Sequence, residues 1–206
     1  TYVHEIGIFL VCSIFLGFGL HHLGQFITVD EEKWLYARIP QLYSALANGE
    51  WEQTYINDKP GIFPSLLAGI VTLFADIKDY QYDTIENFLF YWRLPIVLFN
   101  LGMILLIYRF LSVLLNKTYA LVITSAVATN PTLIGLSQIV NPDATMWSSG
   151  AVSSIAYLLY LKTTRFRYVL IASLFLAFAL LSKFAATYFF LIFYLVFIGG
   201  YILGFI

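Results

Sequence analysis

The sequence predicts an all-α fold, a polytopic transmembrane helical bundle, and three observations predict it. Of the 206 residues 60% are hydrophobic and only 11% charged, against about 25% charged in ordinary globular domains. Several apolar runs approach the ~20 residues needed to cross a bilayer. The ionisable residues are gathered between those runs, most densely in the stretch TVDEEKWLYARIPQLYSALANGEWEQTYINDKPGIFP at 28–64. A water-soluble domain of this composition would have to cover its surface with Phe, Leu and Ile, so that class is set aside. A net charge of −1 argues against nucleic acid as a partner. The single cysteine, Cys12, lies in the first apolar run and can form no intrachain disulfide.

The first span is expected at 6–27, with His21 and His22 near its far end. It lacks the basic n-region and small-residue cleavage site of a signal peptide. A long polar loop, 28–86, follows. Within it Leu35, Ile39, Leu42 and Leu46 recur at helical spacing, Pro40 is placed to kink the helix and Gly49 to stop it. Flanked by Trp34 and Trp51, this predicts an amphipathic helix lying in the membrane interface. The run 61–75 is apolar but short for a crossing. Further spans are expected at 88–115, at 119–139 (interrupted by Asn130-Pro131), at 144–161, and as a fifth and sixth within 168–206. The chain begins without Met and ends inside apolar sequence, so it reads as a piece of a longer protein.

Charge placement bears on whether 61–75 crosses. If it does not, and the N-terminus is cytoplasmic, the inner loops carry Arg109, Lys117, Lys162, Arg165 and Arg167 and no acid. All acidic residues but Glu5 then fall on the outer side. That satisfies the positive-inside rule; if 61–75 crosses, the two basic loops lie on opposite faces. The first topology is favoured, with 61–75 interfacial or re-entrant. It brings Asp30, Asp58, Lys59, Arg93, Asp143 and Lys183 to one outer face. Acids beside fixed cations there suggest an anionic substrate with a lipid part in the bilayer.

The order of these residues has a counterpart. An apolar span, then Asp30-Glu31 with Trp34 and Tyr36 close behind, an amphipathic helix ending in Asn48-Gly49-Glu50-Trp51, Lys59-Pro60, Arg93-Leu94-Pro95, Asn130-Pro131, Asp143, and Leu180-Leu181-Ser182-Lys183 follow one another. This resembles membrane glycosyltransferases of the GT-C fold, in particular the protein mannosyltransferase and lipid A aminoarabinose transferase branch. The resemblance implies transfer of a hexose or pentose from a polyprenyl-phosphate donor to an acceptor hydroxyl, with inversion, at the outer face of a plasma or inner membrane. It implies Asp30 as the base, with Glu31 as second candidate, and Lys59 as a phosphate contact joined by Arg93 and Lys183. Asp58 and Asp143 would hold the acceptor; Asp30 and Asp143 are the candidate ligands should a divalent cation, Mg²⁺ or Mn²⁺, take part. Three departures stand out. Gly61 follows Pro60 where the family has a second Pro, Glu32 extends the acid pair, and the later spans that seat the lipid carrier are missing, so this piece is expected to be inactive alone.

Each residue also has a plainer reading. Asp30 could be a solvated acid at a span end, and Glu31 a helix N-terminal acid favoured by the macrodipole. Lys59 could be a turn residue ahead of Pro60, Arg93 a snorkelling anchor, and Asp143 part of an Asn-Pro-Asp turn. Lys183, between two apolar runs, either reaches the interface or meets an anion. Adjacent His21 and His22 point about 100° apart on a helix and read as packing, not chelation. The rival class is a secondary transporter or flippase, which would place charge near the midplane and often repeat its halves. Neither is seen here. A non-catalytic scaffold leaves the acid-to-Lys-Pro spacing unexplained.

Overall fold

The computed structural model describes residues 2–55, 61–74 and 85–204, and every regular element among them is helical. Helix α1 spans Tyr2–Leu20, and α5, Ile85–Leu114, is the longest. By length and composition α1 and the 88–114 part of α5 can each cross a membrane. Between them lies the polar loop. Its first helix, α2 (Val29–Lys33), runs without a break through Trp34–Arg38 into α3, Ile39–Asn48. The expected disturbance at Pro40 takes the form of a wider π turn just ahead of it. Pro40 has no N–H to give the carbonyl four residues back, and the Ile39 N–H reaches Trp34 O instead. Leu35, Ile39 and Leu42 are buried, while Leu46, the last of the expected stripe, is largely exposed. Gly49 ends α3 at φ +71°, and the Glu50 N–H returns to Ala45 O at 2.9 Å. That left-handed turn is one glycine adopts at little cost.

Helix α4 (Ile62–Ala68) and a 3₁₀ extension, Gly69–Leu73, form the short apolar segment. At 1.5–2 Å per residue it is only about 20 Å long, short of the ~30 Å hydrocarbon core. It is packed against the bundle. Phe63 stacks on Phe178 at 4.4 Å, and Tyr43 of α3 donates to Leu66 O at 2.5 Å. Burial pushes the Tyr43 phenol above its ordinary value.

Helix α6 (Lys117–Ala128) and α7 (Pro131–Ser137) meet at a 64° bend. The bend falls at Asn130-Pro131, where the Asn130 side chain accepts from Thr132 N and Leu133 N and so starts a new helix. Taken together the pair is apolar and long enough for one crossing. Helix α8, Pro142–Thr163, has 22 residues, about 33 Å. It lies among the other helices, with Ser148, Ser149, Gly150 and Ser153 buried. Such small residues allow close helix approach but lower its mean hydropathy below that of α1 and α5. Helices α9 (Arg167–Ser182) and α10 (Ala186–Ile202) are shorter and apolar.

Helix α5 contributes to all three cores. Leu89, Trp92 and Ile96 meet Trp34, Leu35, Ile39, Ala68, Val140 and Ala144. Val97 and Ile104 pack on Val11, Phe15, Leu23, Ala128 and Ile134. Met103, Ile107, Phe110 and Leu111 meet Val152, Ala156 and Leu159. The outward faces of α1 (Phe9, Leu10, Phe18) and α10 (Leu191, Ile192, Leu195) remain apolar and exposed, as surfaces turned to hydrocarbon would be.

Candidate active site

Of the polar residues singled out in the sequence, Glu31, Arg93, Asp143 and Lys183 lie at the end of the bundle where α2, the start of α5, the α7–α8 turn and the α9–α10 turn come together. The local sequence builds the first part. Thr28-Val29-Asp30-Glu31 is a Thr-x-x-Glu helix start. The Thr28 N–H and hydroxyl donate to Glu31 Oε2 at 3.2 and 2.8 Å. This turns Glu31 inward, where it is fully buried. Asp30, one residue earlier, is left on the exposed side of the same turn.

Arg93 of α5 meets Glu31 side-on. Its Nε donates to Oε1 at 2.9 Å and its Nη2 to Oε2 at 2.6 Å. The same guanidinium donates to Leu23 O (2.7 Å) and Gln25 O (3.1 Å) through Nη1, and to Phe26 O (2.9 Å) through Nη2. These carbonyls lie just past the end of α1, outside its own hydrogen-bond ladder. Glu31 Oε1 further accepts the Val140 N–H at 2.8 Å. Both charged side chains are almost wholly buried, Arg93 at 4% exposure and Glu31 at 0%, which a buried pair survives only when hydrogen-bonded throughout.

Three residues beyond Val140 stands Asp143, in the first turn of α8. Asn141 caps that helix by accepting the Asp143 N–H at 2.7 Å. The Asp143 carboxylate accepts from Lys183 Nζ at 2.5 Å. Lys183 occupies an extended residue between α9 and α10, so of the two sequence readings for it the structure shows an anion, Asp143. This second pair is half-exposed, 40% for Lys183 and 31% for Asp143.

Asp58 and Lys59 lie outside the described residues. Gly61, which follows them, explains one departure from the family pattern. A Cβ there would lie 2.1 Å from the edge of the Trp34 ring. Trp34 is itself buried, with Arg38 stacked over it at 4.2 Å. The loop after Lys59-Pro60 therefore rests on the helix that carries Asp30, at a distance no side chain allows. Next to Asp30 a shallow cleft of about 220 Å³ is lined by Ile27, Thr28, Val29, Glu32 and Tyr36. Among the described residues no three His, Cys, Asp or Glu side chains converge. His21 and His22 pack edge to face at 3.8 Å.

Sequence reasoning missed the backbone partners: the Val140 N–H and the carbonyls of Leu23, Gln25 and Phe26. The Thr-x-x-Glu start was legible and would have turned Glu31 inward.

The class of protein, a membrane glycosyltransferase of the GT-C kind, rests on the family that the chain matches. The particular family follows from direct comparison. The family model for dolichyl-phosphate-mannose-protein mannosyltransferases matches residues 84–202, more than half of the chain, and the chain belongs to that family. The match contains Arg93, Asp143 and Lys183 and does not include Asp30 or Glu31. No curated protein and no solved structure matches the chain.

Proposed function

We propose that the protein transfers a sugar, with inversion, from a polyprenyl-phosphate donor to an acceptor hydroxyl at the outer membrane face. The observation that carries this reading is the pairing of an exposed Asp30 with a buried, fully bonded neighbour, at the end of the bundle that also presents Asp143 and Lys183. In this scheme Asp30 takes the proton of the acceptor hydroxyl as its oxygen attacks the anomeric carbon. The bond from that carbon to the phosphate oxygen breaks on the opposite side, and the polyprenyl phosphate leaves with the electron pair. Cations stabilise the negative charge that develops there. Lys59 and Lys183 are assigned this task; a lysine ammonium has three donors, so contact with Asp143 leaves Lys183 capacity for a phosphate oxygen. Asp143, with Asp58, orients the acceptor. The outer location rests on the charge distribution along the chain.

The test is Asp30→Asn in the intact protein, assayed with polyprenyl-phosphate mannose. Turnover is expected to fall by about 10²–10⁴-fold with the unfolding transition unchanged, because Asp30 is exposed. Wild-type turnover in this variant would overturn the assignment, and vesicle uptake without transfer would put a transporter in its place. Chelation and re-addition of Mg²⁺ or Mn²⁺ in the same assay reads the metal dependence.

A further inference from the structure

We propose that Glu31 and Arg93 touch no substrate and act as positioning residues, fastening the helix of Asp30 to the turn that carries Asp143. This rests on the reading of Asp30 as base, and it reassigns two residues that the family resemblance placed among the reacting and binding groups.

Both side chains are saturated with partners. A guanidinium has five N–H donors and no acceptor. In Arg93 the Nε–H goes to Glu31 Oε1, the Nη1 pair to Leu23 O and Gln25 O, and the Nη2 pair to Phe26 O and Glu31 Oε2. No donor is left for a phosphate oxygen. A carboxylate offers about four lone-pair sites. Those of Glu31 are taken by Arg93 Nε and Nη2, Val140 N, and the Thr28 hydroxyl and N–H. To accept a proton from substrate Glu31 would have to break one of these bonds while buried, and an unmet buried donor is costly.

What the node joins gives it a purpose. Glu31 follows Asp30 directly, and Thr28 sets the turn on which both stand. Val140 precedes Asp143 by three residues, with the Asn141 cap between them. Arg93 adds the chain leaving α1 and the first turns of α5. The chain positions of Asp30 and Asp143, more than a hundred residues apart, are thereby set by one carboxylate. A shift of ~1 Å in a reacting group can reduce rate by about 100-fold, so such a tie is reflected in turnover more than in donor binding.

The experiment compares Glu31→Gln, Arg93→Lys and Asp30→Asn in the intact protein, by amide hydrogen exchange and by steady-state kinetics with polyprenyl-phosphate mannose. For Glu31→Gln and Arg93→Lys, exchange is expected to quicken together in the segments around 28–33 and 138–143. kcat should fall by roughly 10- to 100-fold, with donor KM within about twofold and the pH profile unmoved. Asp30→Asn should leave exchange in both segments as in wild type. The proposal is overturned if Arg93→Lys raises donor KM at constant kcat without loosening either segment. It is equally overturned if Glu31→Gln abolishes turnover or shifts the pH profile with both segments still protected. Should either variant fail to fold, Thr28→Ala removes a single hydroxyl bond and should give a weaker form of the same coupled loosening; unchanged protection at 138–143 then counts against the tie. If the wild-type protein transfers no sugar, the proposed function fails, and the exchange measurement still decides whether the tie exists.

Discussion

Two ion pairs among the described residues at this end of the molecule are built in opposite ways. Glu31–Arg93 is buried, bidentate and surrounded by backbone partners from two separate stretches of chain, 23–28 and Val140. Asp143–Lys183 is half-exposed and joined by a single contact between a helix start and an interhelical turn. A charge taken fully out of water must be matched at every donor and acceptor, so the first pair has no freedom to exchange partners. The second is still hydrated and can trade one anion for another at small cost. The difference teaches which charges a substrate can recruit: those the fold has not already used.

The largest effect expected from breaking this contrast is on Arg93. Arg93→Ala would leave Glu31 buried without its cation and the carbonyls of Leu23, Gln25 and Phe26 without donors. A loss of about 3–5 kcal/mol is expected, measured as unfolding of the purified protein in detergent or lipid. A change below 1 kcal/mol would mean that the node is not the anchor described.

Next in size is Gly61→Ala. Its Cβ would fall 2.1 Å from the edge of a buried indole that Arg38 covers on one face, so neither partner yields easily. Overpacking of this kind costs about 1–3 kcal/mol, and the same shift would displace the chain immediately after Lys59-Pro60. We expect reduced thermal stability together with lower turnover. An unchanged melting temperature would show that the Trp34 ring rotates away freely.

How far the sequence could have led to this contrast depends on what kind of atom makes each contact. The helices, the stop at Gly49 and the break at Asn130-Pro131 were legible because apolar spacing and cap residues are local signals. The convergence of Arg93, Asp143 and Lys183 was legible from charge placement. The inward turn of Glu31 was half legible, through Thr28 three residues before it. What made it a node was not, since its partners are the Val140 N–H and the carbonyls after α1, and a backbone group carries no residue identity to read. The wide turn before Pro40 was expected only as a kink, because which carbonyl the Ile39 N–H would choose depends on how Trp34 and Leu35 pack against α5 and Ala68.

The smallest structural effect is predicted where the functional one should be largest for its size. Lys183→Met keeps the length of the side chain and removes one half-exposed contact, so stability should change by about 1 kcal/mol or less. If Lys183 turns from Asp143 to the donor phosphate during the reaction, this variant should raise donor KM severalfold. Rising salt should weaken the wild-type contact in the same direction, because exposed charges are screened within about 10 Å at 0.1 M. The corresponding salt titration on Glu31–Arg93, followed by exchange at Val140, should show almost no response, since the pair is almost wholly buried. Equal salt sensitivity of the two would dissolve the distinction between a charge that holds the fold and one held in reserve for a substrate.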